Sequence, residues 1–470
     1  MTYFSYKTLT LATLCGLSMT TYGAGLDRSG QDVTAFLQDG TYGEVVYTYI
    51  DADVSGTDMN GGSTGDLAEA YDFARFGVKA DINDTFSVGV LYDEPWGAAV
   101  EHFGNSNFVS QGADATYSAL VAGTNGQNIP RALSSLAVNP DGSINDIELE
   151  KASKRLGPIL QQQILDKQRI DVGEAAAQHL ASEAIKQLAP VNQISNTAEA
   201  QKGQGTNVEI RTQNATFLLG AKFGQNKNFQ IYGGPALQRL NGEVHLRGTA
   251  YDRATGYDAK ISTDHALGWV AGVAYTKPEI ALKASLTYRS DIEHKTDIAE
   301  VFPALRQTGR QTQPFRVTLP ESYNLDFQTG VSPTMLLTAK VRYVPWSDFD
   351  IRPTLYTQTA KTPIIDYAKD QWSGEIGLGK KLSDKVSVSG NIGYDSGAGN
   401  PISTLGPIKG YYSLGLGAKY NFTPEWSVSA GAKYLKFGDA TAQLPTRTTA
   451  GQFKDNDGYI VGVKLAYHKK

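Results

Sequence analysis

The stretch Tyr459-Ile460-Val461-Gly462-Val463-Lys464-Leu465-Ala466-Tyr467 decides the fold. In a strand, Tyr459, Val461, Val463, Leu465 and Tyr467 fall on one face, and Ile460, Gly462, Lys464 and Ala466 on the other. Side chains alternate across a strand. One face here is apolar and bracketed by aromatics; the other is small and partly charged. A strand with lipid on one side and a wet lumen on the other is written this way. The pattern recurs in 426–434, where Trp426, Val428, Ala430, Ala432 and Tyr434 oppose Ser427, Ser429, Gly431 and Lys433. In 412–422, Ser413, Gly415, Gly417 and Lys419 turn inward. In 280–289, Ile280, Leu282, Ala284, Leu286 and Tyr288 oppose Lys283, Ser285, Thr287 and Arg289.

The connections extend the reading to the whole chain. Six are short and turn-like, near Asn83-Asp84, 225–228, Lys277-Pro278, Ser332-Pro333, Ser383-Asp384 and Thr423-Pro424. Seven are long and polar: 55–70, 97–206, 241–260, 295–316, 361–370, 396–409 and 438–456. Long and short alternate, as in an up-and-down barrel with tight periplasmic turns and extended outer loops. The thirteen connections join about fourteen strands, with 336–359 read as one long strand bent near 346–353. The expected fold is therefore all-β: a transmembrane antiparallel β-barrel spanning 41–467. A soluble sandwich is the alternative, because each strand's signal is weak.

Bulk properties agree. The chain has 470 residues, 49 glycines and 25 tyrosines, and no apolar run long enough for a transmembrane helix after export. A net charge of −5 argues against nucleic acid as a partner. Residues 1–23 read as a signal peptide: Lys7 supplies the positive start, 8–21 the apolar stretch, and Thr21 and Gly23 the small residues before cleavage, with cleavage after Ala24 the near alternative. The single cysteine, Cys15, lies inside that segment, so the mature chain has no thiol chemistry. The expected location is the outer membrane of a Gram-negative bacterium. The spaced Gly462, Leu465 and Tyr467 resemble the C-terminal signal read by the barrel-assembly machinery, displaced inward by His468-Lys469-Lys470.

Residues 98–206 break the rhythm and predict a helical extracellular insertion. Ile147, Leu156, Ile159, Leu160, Ile164 and Leu165, then Ala175, Ala176, Leu180, Ala184 and Leu188, keep helical spacing. Asn145 and Glu148 fit a capping box, and Gly157-Pro158 predicts a kinked or divided helix. Asn139, Asp141, Ser143 and Glu148 partly match a calcium loop, yet Ala137 stands at the first ligand position. The expectation is a turn followed by a capped helix, with no metal.

Several segments resemble the FadL family of outer-membrane long-chain fatty-acid transporters. Leu319-Pro320-Glu321-Ser322 through Pro333, then Tyr343 to Phe349 with Trp346-Ser347, resemble that family's best-marked segment. Tyr288-Arg289-Ser290-Asp291 resembles its YRS-acid motif, Val78 to Trp96 its second and third strands, and Gly393 to Asp395 and Ala418 to Phe422 its later strands. The likeness covers roughly 41–96 and 207–467. The family's Asn-Pro-Ala plug motif is absent; Gly25-Leu26-Asp27-Arg28-Ser29-Gly30-Gln31 resembles instead a short-plug branch, giving a plug of 24–40. The 98–206 insertion is a second departure from the family pattern, and the resemblance implies for it a role as a surface antigen, as in Moraxella-type homologues.

The resemblance implies passive uptake of long-chain fatty acids or related hydrophobic compounds, with exit through a gap in the third strand. Here that strand meets Pro95, Trp96 and Gly97, residues suited to a break; an ordinary strand end is the alternative. An amphipathic acid needs an apolar cavity and a cation. The plug offers Leu26, Val33, Phe36 and Leu37 with Arg28, and the inward faces offer Arg75, Lys79, Lys283, Arg289, Lys340 and Arg342. Structural pairing with Asp81, Asp291 and Glu375 is the competing role for these cations. None of the six histidines adjoins in sequence a nucleophile motif such as G-x-S-x-G, and H-E-x-x-H spacing is absent, so no catalysis and no cofactor are expected. A water-filled diffusion porin and a surface adhesin acting through the insertion are the other readings.

Overall fold

The computed structural model describes residues 25–305 and 309–469. Residues 1–24, which hold the expected signal peptide and Ala24, lie outside the described residues. Among those residues, fourteen antiparallel strands close on themselves. They are β1 (Thr41–Asp53), β2 (Tyr71–Asp81), β3 (Phe86–Asp93, resuming at Gly97–Glu101), β4 (Asn207–Phe223) and β5 (Phe229–His245). Then follow β6 (Asp258–Lys277), β7 (Leu282–Arg289, then Ile292–Val301), β8 (Gln311–Leu319, then Ser322–Ser332) and β9 (Met335–Val344). The circuit ends with β10 (Gln371–Lys381), β11 (Val386–Asp395), β12 (Lys409–Asn421), β13 (Trp426–Gly438) and β14 (Asp457–Lys469). β14 pairs β1 from Thr41↔Lys469 to Asp53↔Asp457, which leaves no free edge.

The alternation sorts the faces. Val45, Leu219, Leu267, Ile376 and Leu416 point outward and are exposed, while Val46, Leu218, Ile460 and Ala466 point inward and are buried. A belt of aromatics rings the outside toward the long loops: Trp269, Tyr288, Tyr323, Tyr343 and Trp372, on β6 to β10, lie with successive ring centroids 5.0, 5.0, 6.1 and 4.6 Å apart. Tyr288 donates to Glu321 and Tyr343 to Asp370, so each ring is apolar below and hydrogen-bonded above. Phe223, Phe229 and Tyr275 form part of a second belt toward the short turns. Two such belts mark the two membrane interfaces. Among the described residues no helix is long and apolar enough to cross a membrane, so strands make the crossing.

Three expectations change. The strand read over 336–359 stops at Val344: Pro345 ends it, and the chain turns inward at Trp346 and forms a short helix, α5 (Thr354–Ala360), after Pro353. The count of fourteen stands, because this stretch adds only the two-residue pair Asp350–Ile351 with Ile365–Asp366 outside the barrel. The insertion begins later than 98, since β3 continues to Glu101 against Asn207 of β4. Within it, α1 (Ala113–Val121), α2 (Arg131–Ser134), α3 (Asp146–Gln168) and α4 (Glu174–Ala200) share a small core of Tyr117, Val121, Leu149, Leu156, Ile185 and Leu188. Pro158 does not divide α3. Gly157 lies against the backbone of Gln178, so the two long helices pack where the break was expected.

Candidate functional site

Residues 25–40 lie inside the barrel, and their contacts explain why they stay there. Asp27 accepts from the Arg342 guanidinium at 2.7 and 3.1 Å, and Arg342 also donates to Asn324 at 2.8 Å. Asp32 takes Lys340 at 2.8 Å and stands 3.7 Å from Arg75, which is itself 3.8 Å from Glu44. Ser322 donates to Gln31 at 2.6 Å. The carbonyls of Leu37 and Gly40 accept from Lys283 and Lys79, and Lys79 also pairs with Asp81. Arg75, Arg342, Lys79 and Lys340 thus fasten the N-terminal segment or its surroundings, the competing role weighed for them above. Buried charges that meet partners of opposite sign carry less desolvation penalty than lone ones.

Arg289 stands apart. It is buried, its Nη1 donates to Thr216 Oγ1 at 3.0 Å, and its Nε has no hydrogen-bond partner. Among the described residues it makes no salt bridge. Val33, Phe36 and Leu37 belong to one buried apolar cluster with Leu218, Tyr232, Ala236 and Val270. The Phe36 and Tyr232 rings are 5.8 Å apart, and Tyr232 hydrogen-bonds Thr287, two residues before Arg289 on β7. The structure therefore brings the apolar side chains of the segment and one under-satisfied guanidinium to the same wall, β4 to β7. Arg75 and Arg342 belong to the charged network of Asp32 and Asp27 instead.

The third strand is interrupted. Asp93 pairs with Asn214 and Gly97 with Arg211, so three residues of β3 oppose two of β4, a one-residue bulge. On the other side the β2 ladder stops at Phe76↔Tyr92, leaving Tyr71 to Arg75 without strand partners on β3. The N-terminal segment occupies the gap from within. Arg28 N–H donates to Pro95 O and Gly97 N–H to Leu26 O, both at 2.8 Å. Arg28 Nε donates to Gly97 O at 2.7 Å, and its guanidinium lies 4.4 Å over the Tyr71 ring. Trp96 turns inward and is buried beneath Arg342, 5.3 Å from its guanidinium carbon. Pro95, Trp96 and Gly97 are thus an interruption inside a strand, not a strand end. β7 and β8 also pause side by side, at Ser290-Asp291 and at Pro320-Glu321, where proline brings no N–H.

A cavity of about 100 Å³ lies between the segment and the opposite wall, lined by Asp32, Asp326, Lys340, Glu375, Ser413 and Lys433 among others. Sequence reading missed it as a distinct feature; the inward Ser413 and Lys433, which line it, were its signal. In the insertion, Asn145 caps α3 through Ile147 and Glu148 N–H, but Glu148 turns to Lys151 and does not close the capping box. Asn139 donates to Ser143, and Ser143 donates to Asp141, within the turn that precedes α3.

A closed fourteen-stranded barrel with an internal N-terminal segment defines a class of outer-membrane channel-shaped proteins. The sequence model of the family described as outer membrane protein transport protein (OMPP1/FadL/TodX) matches residues 192–468, more than half of the chain, and the chain belongs to that family. It is an outer-membrane protein. It is 25% identical over 191 residues to a 47 kDa outer membrane protein of Pasteurella multocida (strain Pm70), a match covering 36% of this chain and 43% of that one. The chain therefore aligns with less than half the length of that relative. Among solved structures it is similar to a Pseudomonas aeruginosa FadL homologue, at 14% identity and a TM-score of 0.59 over 96% of each chain. It is also similar to the Pseudomonas putida toluene transporter TodX, at 12% identity and a TM-score of 0.51 over 93% of this chain and 91% of that one. Identities this low establish the shared fold.

Proposed function

We propose that this protein is a passive outer-membrane channel for long-chain fatty acids or related hydrophobic acids, and not an enzyme. The observation that carries the reading is the buried Arg289, which bonds Thr216, makes no salt bridge among the described residues, and is set on the wall that carries Phe36 and Tyr232. A neutral hydrocarbon such as toluene needs only the apolar cluster. A buried cation lacking a carboxylate of its own favours a ligand that brings one. On this reading the tail lies among Val33, Phe36 and Leu37, the ligand leaves through the Pro95-Trp96-Gly97 break into the membrane, and Arg28 moves with it. Outer-membrane lipids receive the cargo, and the barrel-assembly machinery inserts the chain.

The test is a binding titration of purified protein with oleate and with oleyl alcohol, which share a tail and differ in charge. The wild type should prefer oleate, and Arg289→Met should weaken oleate binding roughly tenfold, the scale of a charge-assisted hydrogen bond, while sparing the alcohol. Equal loss for both ligands would mean that Arg289 only supports the barrel. The polar cavity at Asp326, Glu375 and Lys433 favours a second reading, a hydrated porin path. Steady ion conductance of the reconstituted wild type would support that path instead.

A further inference from the structure

Trp346 sits where three separate parts of the chain meet. It is fully buried and belongs to the 345–370 loop between β9 and β10. Its ring stands edge-on to Trp96 in the β3 break, with centroids 5.3 Å apart and planes at 80°. It also lies against Gly25 at the start of the N-terminal segment. Gly25 has φ +74°, and a Cβ there would come within 2.7 Å of the indole. Trp346 Nε1 donates to Gln371 Oε1 at 2.7 Å, which fixes the ring's orientation. Phe349 and Tyr367 of the same loop pack on it at 5.2 and 5.3 Å.

The loop has a second anchor. Glu300, fully buried near the end of β7, accepts from Leu355 N–H at 2.8 Å and Tyr356 N–H at 3.0 Å, in the first turn of α5. It also accepts from the Tyr257 hydroxyl at 2.7 Å. These bonds satisfy donors that a helix start leaves open. The break itself is held more sparsely: it lacks the β2 ladder, and the Arg28–Pro95 and Leu26–Gly97 backbone bonds stand in for it.

We propose that Trp346 is a positioning residue through which the 345–370 loop, clasped by Glu300, holds the β3 break and the start of the N-terminal segment in one arrangement. When the loop lifts, Trp346 withdraws, and Trp96 and Gly25 lose the surface they share. Access from outside and release at the break are then linked by one rigid side chain. The proposal rests on the transport reading for its purpose, but the coupling is a property of the empty protein and is measured without ligand.

The test is amide hydrogen exchange on the purified full-length protein, comparing wild type with Trp346→Phe, Trp346→Ala and Glu300→Ala. The reporters are the Arg28 and Gly97 amides, whose bonding partners are Pro95 and Leu26. Trp346→Ala should speed their exchange about tenfold, and Trp346→Phe, which keeps a ring in place, should restore most of the protection. Glu300→Ala, whose lost bonds are to α5 and Tyr257, should speed exchange at Gly97 as well as at Tyr356. Unchanged Gly97 exchange in Glu300→Ala contradicts the coupling, whatever happens in the loop. Failure of oleate binding would overturn the transport reading and leave this result standing.

Discussion

Arg75, Arg289 and Arg342 are all buried, yet Arg75 and Arg342 form salt bridges and Arg289, among the described residues, forms none. Alternation along β2, β7 and β9 makes the inward direction legible. The partner is not legible, because Asp27 and Asp32 reach these arginines from a segment that no strand period places. Arg342→Met should leave Asp27 buried and unpaired, at a cost of about 3–5 kcal/mol. Removing both charges, as Asp27→Asn with Arg342→Met, should recover much of that loss. The midpoint of heat-induced unfolding, followed by the gel-mobility shift of folded barrels, compares them. Equal destabilisation of the single and double variants would mean that the pair does not act as a unit.

At the scale of elements, the strands were the readable part. Residues such as Val461, Leu465 and Trp426 carry the lipid face by local chemistry alone. Two boundaries were not readable, for opposite reasons: Pro95 was given too much weight and Pro345 too little. Pro95 suggested that β3 ends, but the Thr212 side chain accepts from Trp96 N–H and donates to its carbonyl, carrying the strand across. Pro345 lay in a stretch rich enough in Val, Tyr and Trp to pass as strand, while the buried Trp346 and the Glu300 bonds to α5 are long-range facts.

One joint in the loops should respond to acid. His102, directly after β3, is fully buried against Phe108, with Nε2 3.0 Å from Thr404 O. Burial pushes its imidazole down from 6.5 to about 4, against a smaller opposing effect of the Thr404 carbonyl. The folded state therefore binds fewer protons than the unfolded state between those values. Its stabilising contribution is complete above pH 6.5 and is lost as pH falls toward 4. Limited proteolysis of the 396–408 loop should become faster across that window, and His102→Asn should flatten the dependence. Gly205 adjoins the same joint, and a Cβ there would fall 1.6 Å from the His102 carbonyl oxygen. Gly205→Ala should open the joint even at neutral pH, seen as cleavage there under conditions that spare the wild type.

At the scale of the molecule, the helical insertion leaves and rejoins the barrel at one place, between Glu101 and Asn207. Ser110 N–H donates to Gln204 O and Gly203 N–H to Ser110 O, both at 2.9 Å, so its two ends are fastened together before the helices begin. Replacing 112–202 by a short flexible linker should leave a barrel that still shows the folded gel mobility. A deletion that keeps ligand uptake but abolishes surface attachment would assign the insertion to adhesion.

The central claim is passage of a hydrophobic acid through this barrel. The most direct measurement is uptake of radiolabelled oleate by cells lacking their own outer-membrane fatty-acid transporter, with and without this chain. The account predicts that the chain restores uptake and that Arg289→Met, at equal surface abundance, abolishes most of it. A folded, surface-exposed barrel that brings in no oleate would contradict it.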